Sequence, residues 1–320
     1  MHIERFSQDF VRIMAIPDSA GKGAELAVFL ELHGYQYGAR SADNIVRLQH
    51  IFSIESLHRI VINSLLTPSP DLALNAFERL AGVIPADDLT ELAGRKKRLA
   101  QFILLCGSSP FLVNLIYKTP ETLRWLFLEN GIDLSRSSEE MQVSVQATVD
   151  ESTDFSALQR SLRCFKRREI LRIAARDLNG LAPLEEVMAE LSELASSTLQ
   201  LACQVCRRCL VREYGPPLME TENGWREAEL TVIGMGKLGG GELNFSSDID
   251  IIYFYESDNG ETAGVETGSG GRKGVVSLHT FFNKLGEMIS KALSQVTEDG
   301  FVFRVDVGLR PEGKSGDMAV

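Results

Sequence analysis

The 320-residue chain is 44% hydrophobic and 24% charged, a balance that excludes an intrinsically disordered protein. Its formal charge of -11, from 44 acidic and 33 basic residues, argues against a nucleic-acid partner, which would need a broad Lys and Arg footprint on phosphates, and favours a protein or small molecule. No apolar run approaches the roughly 20 residues of a membrane span, and the N-terminal MHIERFSQDFVRIMAIPDSA has no signal-peptide core, so a cytoplasmic protein without a membrane partner is expected.

Residues 1–215 read as a helical region. The segments IESLHRIVINSLL, DLALNAFERLAGVI, RKKRLAQFILLC and PFLVNLIYK carry apolar residues at helical spacing. Pro68, Pro70, Pro85, Pro110 and Pro120 lie between or at the starts of these segments, and Ser109-Pro110 reads as an N-cap followed by a first-turn proline. Residues 130–153 are polar and poorly periodic, which predicts a long loop or a weak strand. The helix that follows, FSALQRSLRCFKRREILRIAARDLNG, closes on Asn179-Gly180. Its Arg160, Arg163, Lys166, Arg167, Arg168, Arg172 and Arg176 are spread around the helix, either as a solvated face with some paired acids or as the lining of a phosphate cleft or acidic contact.

A further long helix from Leu184 to about Tyr214 contains Cys203, Cys206 and Cys209 in a C-x-x-C-x-x-C pattern. With five cysteines in all and no Gly or Pro to fold the chain around a cluster, small buried side chains sharing a helix face explain the spacing better than an iron–sulfur site. The five histidines show no metal-ligand spacing. Gly215-Pro216-Pro217 then breaks the chain and marks a domain boundary.

Residues 216–320 read differently. AELTVIG and DIDIIYFY are β-rich runs of strand length, LHTFFNKLGEMISKALSQV is an amphipathic helix, and FVFRVDVGL is a third strand. The Gly-, Ser- and Glu-rich residues 256–274 are expected to form a mobile surface loop. The fold class is therefore α+β, a helical region followed by a domain with a small mixed sheet.

Four readings compete for GMGKLGGGELNFSSDIDIIYFY. A Walker A loop fails because Lys237 is followed by Leu238 and not by Ser or Thr. A dinucleotide fingerprint fails because Gly239, Gly240 and Gly241 disfavour the required helix and too few residues separate the strands for a parallel crossover. An incidental glycine loop leaves two aspartates unexplained. Side chains at i and i+2 of a strand point the same way, so Asp248 and Asp250 project together and repel unless a cation lies between them. Asp306, which interrupts an apolar strand, is placed to add a third carboxylate for a two-metal site. The glycines would let backbone N–H groups approach phosphate oxygens, with Lys237 and Arg310 supplying positive charge.

Gly236, eleven residues, and then Asp248-x-Asp250 resembles the G-x11-D-x-D signature of the nucleotidyltransferase fold shared with DNA polymerase beta. More narrowly, that segment together with FVFRVDVGLRPEGKSG, CGSSPFLVNLIYKTPETLRWLF and LRCFKRREILRIAARDLNGLAPLEEV is similar to the glutamate–ammonia-ligase adenylyltransferase family over most of residues 100–320.

The resemblance implies a nucleotidyltransferase-fold catalytic domain over residues 216–320. It implies an enzyme of two homologous halves: one adenylylates a tyrosine of glutamine synthetase with ATP, and the other removes AMP by phosphorolysis and releases ADP. ELNFSSDID looks like the removing, N-terminal half. Carried over, Asp248, Asp250 and Asp306 would be catalytic and bind two Mg²⁺ ions, or Mn²⁺ in their place. Gly236, Lys237 and Ser247 would hold nucleotide phosphates, and Arg310 would orient inorganic phosphate. Glutamine synthetase, the PII signal protein, ATP, ADP and phosphate are the implied partners. Two departures stand out: Gly308 replaces an arginine of the family's third-strand pattern, and the family continues past the position of Val320, so a chain shortened at its C-terminus is expected. The alternative is a non-catalytic module that senses nucleotide or docks PII.

Overall fold

The computed structural model describes residues 3–268, 270–309, 317 and 319. They form two compact units, Met1–Leu134 with Leu171–Pro183 and Ser135–Ile170 with Leu184–Val320.

The first unit contains α1 (Ile3–Met14), α2 (Ser19–Leu32), α3 (Gly38–Leu48), α4 (Ile54–Leu65), α5 (Pro70–Ala81), α6 (Ala86–Gly94), α7 (Lys96–Ser108) and α8 (Pro110–Lys118), then a π-helical turn at Arg124–Leu128 and a 3-10 turn at Gly131–Asp133. Each helix buries one apolar stripe, and the stripes merge into one core that extends to Leu171, Ala174 and Ala175. Phe52, Phe77, Phe102 and Phe127 recur at constant sequence spacing, with successive ring centroids 5.7, 5.7 and 5.3 Å apart. Each such fully buried ring contributes about 1.5–3 kcal/mol by leaving water. Ser69 and Ser109 cap α5 and α8, accepting from the N–H groups of Leu72 and Leu112, each with proline in the first turn.

The second unit contains α9 (Ser138–Gln146), the first part of α10 (Phe155–Leu178), and α11 (Leu184–Tyr214), followed by the strands. Residues 130–153 thus hold a helix where a loop or strand is expected. Its signal was local: Ser137 and Glu140 make a reciprocal capping box, which fixes the start of α9 despite weak amphipathicity. The changeover from helix to strand falls at Gly215, but the contacts group α9, the start of α10 and α11 with the strands.

Among the described residues three sheets follow. β1 (Pro217–Thr221) lies between β2 (Gly224–Glu227) and β5 (Gly260–Thr262), all antiparallel. β3 (Leu230–Met235) runs antiparallel to β4 (Ile249–Tyr255), which pairs in parallel with β8 (Val305–Asp306), so this sheet is mixed. β6 (Val265–Glu266) and β7 (Arg272–Lys273) form a small ribbon. α12 is a single turn at Gly236–Gly239, and α13 spans Leu278–Ser294. Ile249, Ile251 and Tyr253 bury one face of β4, with the Tyr253 hydroxyl 3.0 Å from Ser290 of α13 and Tyr255 stacked on Phe282. The molecule is α+β, with the mixed sheet expected from the sequence.

Two further expectations are corrected. Residues 256–274 are not a structureless loop: they supply β5, β6 and β7. Thr262 is buried, and its hydroxyl donates to Gly274 O and accepts from Val276 N–H, which pins the segment. The basic α10 is a solvated face only in part: Arg160 and Arg168 are exposed and Arg167 pairs with Asp299. Arg163, Arg172 and Arg176 are buried and donate to main-chain carbonyls, Arg172 to Leu134 and Arg176 to Ile132. Charge on a helix does not by itself say outward, because a guanidinium with carbonyl partners can be buried.

Candidate functional site

β3 ends at Met235 and the chain reverses through α12. Glycine suits this turn by its backbone conformation at Gly236 and by the space it leaves at Gly239. Gly236 has φ +53°, and a Cβ there would lie 2.8 Å from Asp250 Oδ2. A Cβ on Gly239 would lie 2.6 Å from Gly234 O, so the turn folds back directly on the strand it leaves. The N–H groups of Gly240, Gly241 and Glu242 donate to Gly236, Leu238 and Lys237 carbonyls. Those three donors are spent inside the turn and are not available to phosphate oxygens, contrary to the simplest reading of a glycine-rich loop.

The strand register sets the carboxylates. Asp250 of β4 is the direct partner of Asp306 on β8 and of Met235 on β3, so Asp250 and Asp306 stand side by side on one face. That face is the open one: Ile249 and Ile251 point into the core, while Asp250 is half-buried and Asp306 exposed. Farther along it lie Ile233, Ile252 and Phe254, with Ile233 and Phe254 exposed. Asp306 Oδ1 accepts from Gly308 N–H at 2.7 Å, and a Cβ on Gly308 would lie 2.9 Å from the same oxygen. The glycine that departs from the expected arginine is thus the residue whose backbone closes on Asp306.

Asp248 sits just before β4, and its carboxylate is taken by the Arg304 guanidinium. The same guanidinium donates to Ser246 O at 2.8 Å, and Arg304 O accepts from Ile249 N–H at 2.9 Å. Arg304 therefore ties the lead-in of β8 to the lead-in of β4 through both side chain and backbone. Lys237 Nζ is 2.8 Å from Asn244 Oδ1, and Ser247 Oγ accepts from Asn244 N–H at 3.2 Å. Two predicted phosphate contacts thus converge on Asn244, next to Ser246 in the left-handed region at φ +63° and the exposed Phe245. Arg310 lies outside the described residues.

Neither Arg304 nor Asn244 emerges from a motif search. The available signal for Arg304 was its place two residues before Asp306, a second charge in an apolar strand; Asn244 had none, since its role comes from a tertiary turn.

Among the described residues, no three His, Cys, Asp or Glu side chains converge closely enough to hold a metal ion. The donor chemistry suits a hard divalent ion, because carboxylate oxygens are the ligands Mg²⁺ prefers. The arrangement provides the Asp250–Asp306 pair and leaves Asp248 on Arg304. The residues therefore fit such an ion in type and in one opposed pair. On α11, Cys206 is buried and Cys203 and Cys209 are half-buried. Burial pushes the Cys203 thiol up to about 12 and raises Cys206 and Cys209 as well, disfavouring the thiolate that a cluster or nucleophile requires.

A family model described as glutamate-ammonia ligase adenylyltransferase matches residues 99–320. Curated relatives include proteins named bifunctional glutamine synthetase adenylyltransferase/adenylyl-removing enzyme from three bacteria. The Pseudomonas aeruginosa protein is 35% identical over 257 residues, covering 79% of this chain and 25% of the relative. That of Aromatoleum aromaticum is 47% identical over 169 residues, covering 53% and 17%. That of Nitrosomonas eutropha is 41% identical over 184 residues, covering 57% and 19%. The match thus spans a quarter or less of the length of these relatives.

Proposed function

Because this chain belongs to the glutamate-ammonia ligase adenylyltransferase family, an enzyme family, we propose that it carries a nucleotidyltransferase site acting on glutamine synthetase within a bifunctional enzyme. The observation that carries this reading is the register that opposes Asp250 and Asp306 on the open face of the mixed sheet, with Gly236 pressed against Asp250. In this reading residues 216–320 are a nucleotidyltransferase-fold catalytic domain of a cytoplasmic enzyme. Asp248, Asp250 and Asp306 would hold Mg²⁺ or Mn²⁺, which supplies positive charge against the phosphate oxygens when bound.

The direction we propose is removal of AMP. A phosphate oxygen attacks the phosphorus of a tyrosyl-AMP, the bond to the tyrosyl oxygen breaks, that oxygen takes a proton, and ADP leaves. Lys237, Ser247 and Gly236 would hold the adenylyl phosphate, and Arg310 would orient the attacking phosphate. Their part is to align the attacking oxygen with the bond that breaks and to offset charge, since in-line displacement at phosphorus needs positioning more than covalent chemistry. ATP, for the forward reaction, and the PII signal protein complete the proposed partners.

A second reading rests on Asp248. With its carboxylate on Arg304 and no three carboxylates converging among the described residues, the domain could serve as a non-catalytic module that senses nucleotide or docks PII. One assay separates the two. The chain is incubated with adenylylated glutamine synthetase, phosphate and Mg²⁺, and ADP is measured. ADP release that is lost in Asp250→Asn supports removal of AMP, whereas labelling of unmodified glutamine synthetase from ATP supports the forward reaction. No turnover in either direction, with the Asp250→Asn protein indistinguishable, supports the binding module.

A further inference from the structure

The basic residues at the start of α10 are unexplained by the proposed chemistry, yet they are among the most heavily engaged side chains in the second unit. Arg163 is 1% exposed. Its Nε donates to Gly300 O at 2.8 Å, and its Nη1 donates to Gln159 O at 2.7 Å and Ala292 O at 3.1 Å. Its Nη2 donates to Gln295 O. Ala292 belongs to the last turn of α13 and Gln295 is its C-cap, so the guanidinium sits where the helix dipole is negative and satisfies carbonyls that lack an intrahelical partner.

The neighbours of Arg163 extend the same grip along one stretch of chain. Arg167 pairs with Asp299 at 3.0 Å. Lys166 Nζ lies 5.5 Å from the centre of the Phe301 ring and 5.9 Å from that of Phe303. The Arg304 guanidinium also lies over Phe301, at 5.9 Å. Between these contacts the chain makes a tight turn, Thr297 and Gly300 exchanging both N–H to O bonds, and then returns to α13 through Val302 and Phe303 N–H groups donating to Leu293 O. The next residue, Arg304, binds Asp248, and two residues later Asp306 stands beside Asp250.

The partners of Arg163, Lys166 and Arg167 described above that lie outside α10, from Ala292 to Phe303, all precede Asp306 along one connection. β8 is two residues long, too short to fix its own register by ladder bonds. We propose that Arg163, with Lys166 and Arg167 beside it, is a positioning residue for the carboxylate site: it clamps the connection between α13 and β8 and so sets the register at which Asp306 opposes Asp250 and Arg304 reaches Asp248. The assignment rests on the reading of the Asp250–Asp306 pair as the reactive site.

The test uses the whole chain with Arg163→Met, the conservative Arg163→Lys, and the milder Arg167→Ala and Lys166→Met. Two quantities are measured: amide hydrogen exchange at Ile249, whose N–H is held by Arg304 O, and the steady-state constants for ADP release from adenylylated glutamine synthetase. The clamp predicts exchange at Ile249 at least about tenfold faster with the amides of α2 to α7 unchanged. It also predicts kcat about tenfold lower with KM for the protein substrate within about twofold, since alignment is lost and binding is not, and partial recovery of both in Arg163→Lys. Faster exchange at Ile249 with unchanged kcat would overturn the positioning role and leave a plain helix cap. Unchanged exchange in Arg163→Met would overturn the clamp itself. If Arg163→Met unfolds, the Arg167→Ala and Lys166→Met proteins decide by the same two measurements. If the unsubstituted chain gives no turnover, the proposed activity has failed, and the exchange data still report separately on whether the clamp sets the strand.

Discussion

In the first unit, Phe52, Phe77, Phe102 and Phe127 touch in series, and the helices around them bury continuous apolar stripes. In the second, the turns that matter are held by directed contacts: Arg163 on four carbonyls, Arg304 on Asp248 and Ser246, Asn244 between Lys237 and Ser247. Apolar contact is non-directional, so a helical stack tolerates small shifts and its stability grows with area. Directed bonds fail over fractions of an ångström, so they suit a place where two carboxylates must meet from strands far apart in the chain. A stable stack and a positioned site therefore have different sensitivities to substitution.

That contrast can be tested most severely at Phe102. Phe102→Ala should cost about 3–5 kcal/mol in urea unfolding, because it empties the middle of the ring series; a loss under about 1 kcal/mol would mean the stack is not held by these contacts. Gly236→Ala should cost less in stability, about 1–2 kcal/mol for the left-handed backbone. Its Cβ meets only the end of the Asp250 side chain, which can swing aside, so the larger consequence is for alignment. ADP release should fall by about 10²-fold, and a rate that only follows the folded fraction would remove the distinction between stack and site.

Capping should be worth the same in both units. Ser109→Ala in the first and Ser137→Ala in the second should each cost about 1 kcal/mol, read from paired denaturation curves. A much larger loss at Ser137 would show that α9 depends on its capping box more than on packing.

His58 offers a pH-dependent check on the first unit. Half-buried against Phe6 and Phe10, it has a pKa pushed below 6.5, first by burial and then by the Arg59 charge. Between that lowered value and 6.5 the unfolded chain binds the proton that the folded chain does not. Stability is therefore full above 6.5 and declines as pH falls through the folded pKa. Unfolding followed from pH 7 to 5 should show this decline, and His58→Phe should flatten it. The smallest effect is expected at the exposed Arg304–Asp248 pair, where Arg304→Ala should change stability by less than about 1 kcal/mol. A larger loss would place that pair among the structural contacts.

Much of the fold was legible because its signals are local. Helical spacing in residues 54–118, serine caps before Pro70 and Pro110, Gly180 at φ +63° after α10, and the break at Gly215 each specify their element within a few residues. The strands around AELTVIG and DIDIIYFY, and the likeness in GMGKLGGGELNFSSDIDIIYFY, were equally direct. What escaped was nonlocal or misleading locally. Residues 256–274 look too polar to order, yet β5 adds to β1 from the other side of a long excursion, and a buried threonine holds it. The glycine turn looks like a source of free N–H groups, yet three of them close on its own carbonyls.

By itself the sequence determined the helices of residues 54–118, α10, α11 and α13, the strands β3 and β4, and the α+β class, because periodicity, caps and breakers act over one or two turns of chain. Tertiary structure alone decided which carboxylates meet. Asp250 faces Asp306 because a parallel register brings together strands that α13 separates, and Asp248 turns to Arg304 because that same register carries the guanidinium to it. It also decided the fate of the charges on α10. A run of arginines reads as a solvated face until carbonyls from the end of α13 and its following turn arrive to satisfy them, and only then can Arg163 be buried.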